Sequence, residues 1–218
     1  MAENWKEKIR PLLAGIEKYN PCNIVQLENY VKHQAEGDDY DFDANLVLMK
    51  LYQFHPTKAS SSVACQILLK ALTNLPATDV IMLKAVLPTS LIKDVDIQHI
   101  LTLHTLLESC QFREFWATLK RENMEVTKKI KDLESAIRRY ICGVVEISYQ
   151  NIPLSLLKQY LGDLDGPALN ELAAAHKWEI TGDMCFIRNQ EELIKPKKIL
   201  AKIELDSVSG ILATIASR

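Results

Sequence analysis

Near its C-terminal end the chain reads Trp178-Glu179-Ile180-Thr181-Gly182-Asp183-Met184-Cys185-Phe186-Ile187. Two short apolar runs flank the segment Thr181-Gly182-Asp183, which contains a glycine. Apolar runs of this length around a three-residue, glycine-containing turn are typical of a β-hairpin. The sequence therefore predicts a small hairpin over residues 178–187.

The residues before the hairpin predict a longer series of elements. Ile152-Pro153 forms a short extended segment, and a brief helix follows from Leu154 to Leu161. Gly166-Pro167 opens another helix, because proline is well placed in the first helical turn. A helix, a short strand, two helices and a hairpin, in this order, are typical of a winged helix. We therefore expect a winged-helix domain in this part of the chain.

The first two-thirds of the chain predicts successive helices, each with apolar residues at helical spacing. Candidate N-caps are Asp41 or Asp43, the hydroxyls of residues 60–62, and Asp94 or Asp96. No strict period relates the helices, so an irregular stack of helix pairs is expected rather than a repeat array. The predicted helices cover about residues 5–16, 24–36, 44–54, 63–72, 78–87, 97–107 and 112–119.

Helical spacing continues across the charged stretch that follows residue 121. Val126, Ile130 and Leu133 begin a series that extends to Ser148, which predicts one helix of about 22 residues. We interpret it as a rigid bridge rather than a flexible linker. The predicted divisions are a helical domain (1–126), a linking helix with the winged helix (127–205), and an amphipathic C-terminal helix or tail (206–218).

Composition excludes several classes of protein. The 218 residues are 48% hydrophobic and 25% charged, which is typical of a globular chain. A net charge of −2 argues against a bulk electrostatic partner such as naked DNA or an anionic membrane. The five cysteines are widely spaced with no Cys-x-x-Cys pair, so reduced thiols in the cytosol or nucleus are expected. No secretion signal or membrane span is predicted.

The sequence lacks the common motifs of catalytic and metal-binding sites. No phosphate-binding glycine loop, Gly-x-Ser-x-Gly elbow or His-Glu-x-x-His pair occurs. His99 and His104 share a helix face poorly, and His104 lies on the apolar stripe, where a core or interface histidine is expected rather than a metal ligand. The acidic run 38–43 lacks the glycine and terminal glutamate of a calcium loop. We expect no enzyme, cofactor or metal.

DNA binding by the predicted winged helix is also disfavoured. Its second helix, Pro167 to His176, contains no lysine or arginine. Phosphate neutralisation by such residues supplies most non-specific affinity for DNA, so this helix is poorly equipped for the major groove. A winged helix that faces protein is the better interpretation.

Two candidate contact sites lie near the C-terminus. The first is an apolar stripe that could dock with partner subunits or fold back on its own winged helix; it comprises Val208, Ile211, Leu212 and Ile215. The second is a basic cluster that could touch ribosomal RNA through phosphates or simply be solvated; it comprises Lys195, Lys197, Lys198 and Lys202.

Several longer strings resemble a known family. They include Tyr40 to Phe54, Ala64 to Pro76, Leu106 to Phe112 and Ile194 to Ile199, with Asp206-Ser207-Val208-Ser209. These strings resemble the k subunits of eukaryotic translation initiation factor three. The resemblance covers nearly the whole length of the chain. The first dozen residues and residues 80–96 match that family poorly.

The resemblance implies a HEAT-like helical domain followed by a winged helix, without enzymatic activity. It also implies partners: the other initiation factor three subunits, above all the l subunit, and the small ribosomal subunit. Two other classes stay open from the residues alone. They are a scaffold subunit of a proteasome-lid or signalosome complex, and a winged-helix nucleic-acid regulator.

Overall fold

The computed structural model of the chain describes residues 5–37, 39–122, 127, 130–187 and 208. This part is mostly helical, with one small antiparallel sheet of three strands. Residues 1–188 form one compact unit and residues 189–218 a second one. The predicted boundary near residue 126 falls between the described ranges. No helix in the described part is long and apolar enough to cross a bilayer.

Within the described residues, the secondary structure consists of α-helices, four 3-10 turns and three strands. The α-helices are α1 (Trp5–Ile9), α2 (Ile24–Glu36), α3 (Phe42–Phe54), α4 (Ser61–Leu72), α5 (Asp79–Val86), α6 (Thr89–Ile92), α7 (Val95–Glu108), α8 (Phe112–Glu122), α9 (Leu133–Ser148), α10 (Leu154–Tyr160) and α11 (Gly166–Ala175). The strands are β1 (Asn151–Pro153), β2 (Glu179–Thr181) and β3 (Met184–Phe186). The 3-10 turns are Arg10–Leu13, Glu17–Tyr19, Pro21–Asn23 and Pro56–Lys58.

Helix α4 lies at the centre of the helical part. Every residue from Val63 to Leu72 is buried, and α4 packs against α2, α3, α5, α7 and α9. A helix that is buried on all sides needs neighbours on all sides. One continuous apolar core extends from this centre to the sheet, where Ile152 and Cys185 are fully buried.

The predicted helix caps are confirmed in two places and wrong in one. The Asp41 side chain accepts from the Ala44 N–H, and Asp94 accepts from the Asp96 N–H. Ser60 occupies the N-cap of α4, but its hydroxyl makes no capping hydrogen bond. The Ser61 hydroxyl instead donates to the Asp94 carboxylate at 2.6 Å, which joins the starts of α4 and α7.

The first predicted helix, residues 5–16, is shorter in the structure. Helix α1 ends at Ile9 and a 3-10 turn containing Pro11 replaces its continuation. Proline has no N–H for the helical ladder, and Gly15 then turns the chain with a φ of +57°. The stripe from Trp5 to Ile16 is therefore broken.

The predicted continuous helix from Val126 to Ser148 is also wrong, because α9 begins only at Leu133. The Lys131 N–H donates to the Ala35 carbonyl at 3.2 Å, and Asp132 has a φ of +57°. A continuous helix would need the Lys131 N–H for its own ladder and could not accommodate a left-handed residue. The contact with α2 therefore interrupts the helix.

The sheet has the strand order β1-β3-β2, with both pairs antiparallel. The predicted hairpin and the extended segment at Ile152-Pro153 are confirmed as β2–β3 and β1. The turn has two residues rather than three, because Thr181 pairs with Met184. Gly182 takes a φ of +59° at the first turn position, where glycine carries no steric cost.

Candidate interaction surface

The outward face of the three-stranded sheet exposes two large apolar side chains. Successive residues of a strand point to opposite faces, so Met184 and Phe186 lie on one face and Cys185 on the other. Cys185 is fully buried, whereas Met184 is 42% and Phe186 40% exposed. Their cross-strand partners are exposed as well; they are Asn151, Pro153, Glu179 and Thr181. This outer sheet face, Met184 with Phe186, is the candidate interaction surface.

Strand β2 lies at one edge of the sheet, beside this face. Within the described residues β2 pairs only with β3, and all three of its residues are exposed. An edge strand presents unpaired N–H and C=O groups that can accept another strand. The outer sheet face and the β2 edge therefore offer apolar contact and backbone hydrogen bonds side by side.

Helix α11 does not supply the charges of a nucleic-acid reader. Leu169 and Ala173 pack inward, and the only charged residue in the helix is Glu171. His176, at the C-terminal end, is hydrogen-bonded to Glu146 of α9 at 2.7 Å and lies beside the Trp178 ring. This histidine therefore joins the helix to α9 and to the start of β2.

The buried titratable side chains Cys65, Cys142 and His104 are not arranged as reactive groups. Burial raises the pKa of the Cys65 thiol to about 12, and that of Cys142 also to about 12. A thiol with a raised pKa is a poor nucleophile and a poor metal ligand. His104 is buried on α7 with its Nδ1 3.5 Å from the Glu108 carboxylate. Among the described residues, no group of three His, Cys, Asp or Glu side chains could hold a metal ion.

A cleft with a volume of about 640 Å³ lies between α8 and the start of α9. Trp116, Lys120, Asp132 and Arg138 are among its lining residues. The Arg138 guanidinium donates hydrogen bonds to the Glu134 carboxylate at 2.8 Å and to the Leu161 carbonyl at 3.2 Å. Its guanidinium therefore serves a structural contact.

The residues predicted from the sequence as contact sites fall almost entirely outside the described part. Val208 is described, and it is helical and exposed. The rest of the apolar stripe and the whole basic cluster lie outside the described residues; they are Ile211, Leu212, Ile215, Lys195, Lys197, Lys198 and Lys202. These sites stay predictions.

Sequence reasoning identified the hairpin but missed its exposed side. The run Met184-Cys185-Phe186 is apolar at every position. A strand that packs on helices with one face needs apolar residues only at alternate positions. The unbroken run was therefore the available signal that two of these side chains face outward.

Comparison with known proteins places this chain in a family. Residues 58–198 match the model of the CSN8/PSMD8/EIF3K family. That range runs from the end of the 3-10 turn Pro56–Lys58, through the outer sheet face, and includes residues 195, 197 and 198 of the basic cluster.

Curated relatives match almost the entire length. A Xenopus laevis protein named eukaryotic translation initiation factor 3 subunit K is 44% identical over 213 residues, 97% of each chain. The human protein of that name is 44% identical over 215 residues, 98% of each chain. The Bombyx mori protein of that name is 39% identical over 99% of this chain and 98% of its own. The chain therefore belongs to the CSN8/PSMD8/EIF3K family, among the subunits K of eukaryotic translation initiation factor 3.

Proposed function

We propose that this chain is a structural and regulatory subunit of the translation initiation factor 3 complex and acts through protein–protein contacts. The name of its full-length relatives supports this proposal. The observation that carries it is the outward-facing pair Met184 and Phe186 beside the β2 edge. Contiguous exposed apolar surface of this kind is stabilised when a partner buries it.

We further infer that no residue of the chain performs chemistry and that it needs no cofactor. The raised pKa values of Cys65 and Cys142 support this inference. The structural pairing of His104 with Glu108 supports it as well. Binding, not turnover, is then the property that mutations should change.

The architecture that we propose is a HEAT-like helical stack followed by a winged helix. Its support is the element order α9, β1, α10, α11, β2 and β3. The proposed domain divisions are residues 1–126, 127–205 and 206–218. Because α11 contains no lysine or arginine, the winged helix would face protein rather than DNA.

The proposed partners are the other initiation factor 3 subunits, especially the l subunit, and the small ribosomal subunit. The apolar stripe from Val208 to Ile215 would dock in a helical bundle with neighbouring subunits. The lysines from Lys195 to Lys202 would add a weak phosphate contact to ribosomal RNA. We propose that the chain resides in the cytosol, where ribosomes initiate translation, with the nucleus as a second location.

The outer sheet face is tested by charge substitution in cells. Met184→Glu with Phe186→Glu would put two carboxylates on that face, and we expect co-purification with initiation factor 3 subunits to fall at least about tenfold. Val95→Glu changes an exposed apolar residue on α7 and serves as the control. A folded double variant that co-purifies as well as the wild type would refute the role of this face.

The C-terminal predictions need separate variants. Deletion of residues 206–218 should reduce co-purification if the stripe docks with partners, and unchanged recovery would reject that role. Neutralising Lys195, Lys197 and Lys198 should lower the salt dependence of binding to ribosomal RNA on filters. An unchanged salt slope would reject the RNA contact.

Membership of a lid or signalosome scaffold is the alternative, since the family model spans those relatives. Mass spectrometry of the proteins attached to the tagged full chain separates the two assemblies. Recovery of lid or signalosome subunits without initiation factor 3 subunits would overturn the proposed function.

A further inference from the structure

A second exposed apolar surface lies at the other end of the sequence. It comprises Ile16, Tyr19 and Phe54, which we call the aromatic patch. These side chains are 82%, 50% and 59% exposed, respectively. The Tyr19 and Phe54 rings touch, with centroids 6.2 Å apart and planes tilted by 58°.

The local backbone holds the patch in a fixed shape. The Tyr19 N–H donates to the Ile16 carbonyl, which closes a 3-10 turn. Side chains three residues apart on such a turn eclipse one another, so Ile16 and Tyr19 lie on the same side. The patch is therefore formed before any partner arrives, which lowers the entropic cost of binding.

Glu17, the only acidic residue within this turn, already accepts hydrogen bonds from two asparagine side chains. The Glu17 carboxylate accepts hydrogen bonds from the side-chain amides of Asn20 at 3.1 Å and Asn23 at 3.4 Å. The Asn23 amide also donates to the Glu17 carbonyl at 3.0 Å. These bonds direct the carboxylate toward the following 3-10 turn, Pro21–Asn23.

Lysines border the patch on both of its elements. The Lys18 ammonium lies 5.1 Å from the centre of the Tyr19 ring. Lys50 is exposed one helical turn before Phe54, and Lys58 is exposed at the end of the turn that follows α3. The sequence contains no Asp or Glu from residue 44 to residue 78. The charged side chains next to the patch in the sequence are therefore mostly lysines, with Glu17 as the acidic exception, although the chain has a net charge of −2.

We propose that the aromatic patch binds an acidic peptide segment of another protein. A large apolar side chain of the peptide packs against Tyr19 and Phe54, and carboxylates on either side pair with the flanking lysines. Charge complementarity favours an acidic partner and apolar contact supplies the anchor. This surface goes beyond the proposed function, which rests on the outer sheet face.

A peptide fits the patch better than a single-stranded RNA does. Ile16 is the most exposed member, and an aliphatic side chain offers no ring for base stacking. The Lys18 ammonium already covers a face of the Tyr19 ring. Lys18, Lys50 and Lys58 carry ammonium groups, which lack the planar fork with which an arginine binds phosphate through two parallel hydrogen bonds.

The test begins with a phage-displayed library of random twelve-residue peptides, selected on the full chain. We expect enrichment of peptides that carry Trp, Phe or Leu between Asp and Glu residues. The binding of an enriched, fluorescein-labelled peptide is then measured by fluorescence polarisation. Tyr19→Ala and Phe54→Ala should each weaken it at least about tenfold, whereas Ile147→Ala, an exposed apolar residue on α9, should leave it unchanged.

A charge swap makes the test independent of folding defects. The triple variant Lys18→Glu, Lys50→Glu and Lys58→Glu should lose the acidic peptide and gain a version whose Asp and Glu are replaced by Lys. Enriched peptides without acidic residues, equal binding to wild-type and patch variants, or failure of the swap would each overturn the proposal. Tighter, patch-dependent binding of a labelled twelve-nucleotide poly(U) would overturn it in favour of RNA. None of these outcomes bears on co-purification through the outer sheet face.

Discussion

The guanidinium carbon of Arg138 lies 5.0 Å from the centre of the Trp116 indole ring. The indole N–H donates to the Tyr160 carbonyl at 2.8 Å, and Arg138 Nε donates to the Leu161 carbonyl. Trp116 from α8 and Arg138 from α9 are thus both bound to the C-terminal end of α10. This contact connects the helical stack to the elements around the sheet.

Removing the indole should destabilise the entire compact unit. Trp116 is buried, and truncating a buried tryptophan to alanine costs about 3–5 kcal/mol. We expect Trp116→Ala to lower the free energy of unfolding by that amount in urea titrations followed by circular dichroism. A loss below about 1 kcal/mol would contradict the central role of the ring.

The glycine beside the indole, Gly162, should also lose stability when it is replaced by alanine. Gly162 has a φ of +83°, and a Cβ added there would lie 2.9 Å from Cδ2 of Trp116. Gly182 also has a positive φ, but a Cβ there would meet nothing within 4 Å. Gly162→Ala should therefore cost about 1–3 kcal/mol more than Gly182→Ala, because only the first adds overpacking. Equal losses in the same urea titrations would show that backbone strain alone matters.

Asp94 should contribute stability that depends on pH. The Ser61 hydroxyl and the Asp96 N–H hold the pKa of this carboxyl below its usual range. Its contribution is complete above the unfolded pKa, about 3.9, and is lost as the pH falls through the folded pKa. Asp94→Ala should cost about 0.5–2 kcal/mol at neutral pH and less in acid.

Urea titrations from pH 7 down to pH 2.5 check this prediction. Asp94→Asn keeps a capping side chain but cannot ionise, so it should lose less stability than Asp94→Ala at neutral pH. A difference between wild type and Asp94→Ala that stays constant across the whole range would rule out the pH effect.

His104 should make stability fall on mild acidification. Burial lowers the pKa of this histidine, although Glu108 opposes the shift and Lys84 adds to it. The unfolded chain then binds a proton more readily than the folded chain. Stability should therefore decrease as the pH falls below the unfolded value of about 6.5, and it should level off below the folded pKa.

Replacing His104 removes the titrating group. His104→Gln should flatten the pH dependence of the thermal midpoint between pH 7 and pH 5. Thr102→Gln changes an exposed residue of the same helix that does not titrate; it is the control and should keep the wild-type slope. If His104→Gln kept the full slope, other groups would be responsible for it.

Patterns within one segment predicted much of this fold. Residues close together in the sequence predict the apolar stripe of α7, the cap at Asp94, the burial of His104 and the hairpin. The break before α9 was missed because its cause, the hydrogen bond from Lys131 to the Ala35 carbonyl, joins residues far apart in the sequence. The unbroken apolar run at residues 184–186 did not say which of its two faces turns inward, because that depends on what packs beneath the strand.

A buried amide pair shows the same dependence on distant residues. Gln34 of α2 and Asn45 of α3 are both buried, and each side-chain amide donates to the other's oxygen at 3.2 Å. Gln34 Oε1 also accepts from the Asp41 N–H at 3.0 Å. In contrast, Oε1 of the buried Gln66 on α4 has no hydrogen-bond partner within the described part.

These two glutamines should respond in opposite ways to the same substitution. Gln34→Leu leaves the Asn45 amide and the Asp41 N–H without a partner, so it should cost about 1–3 kcal/mol. Gln66→Leu removes an unsatisfied oxygen and should be close to neutral or stabilising. Because Asn45→Leu would strand the Gln34 amide, the double variant Gln34→Leu with Asn45→Leu should cost less than the sum of the single changes, by about 0.5–3 kcal/mol. Urea unfolding of the four variants measures this coupling, and strictly additive losses would show that the two amides do not depend on each other.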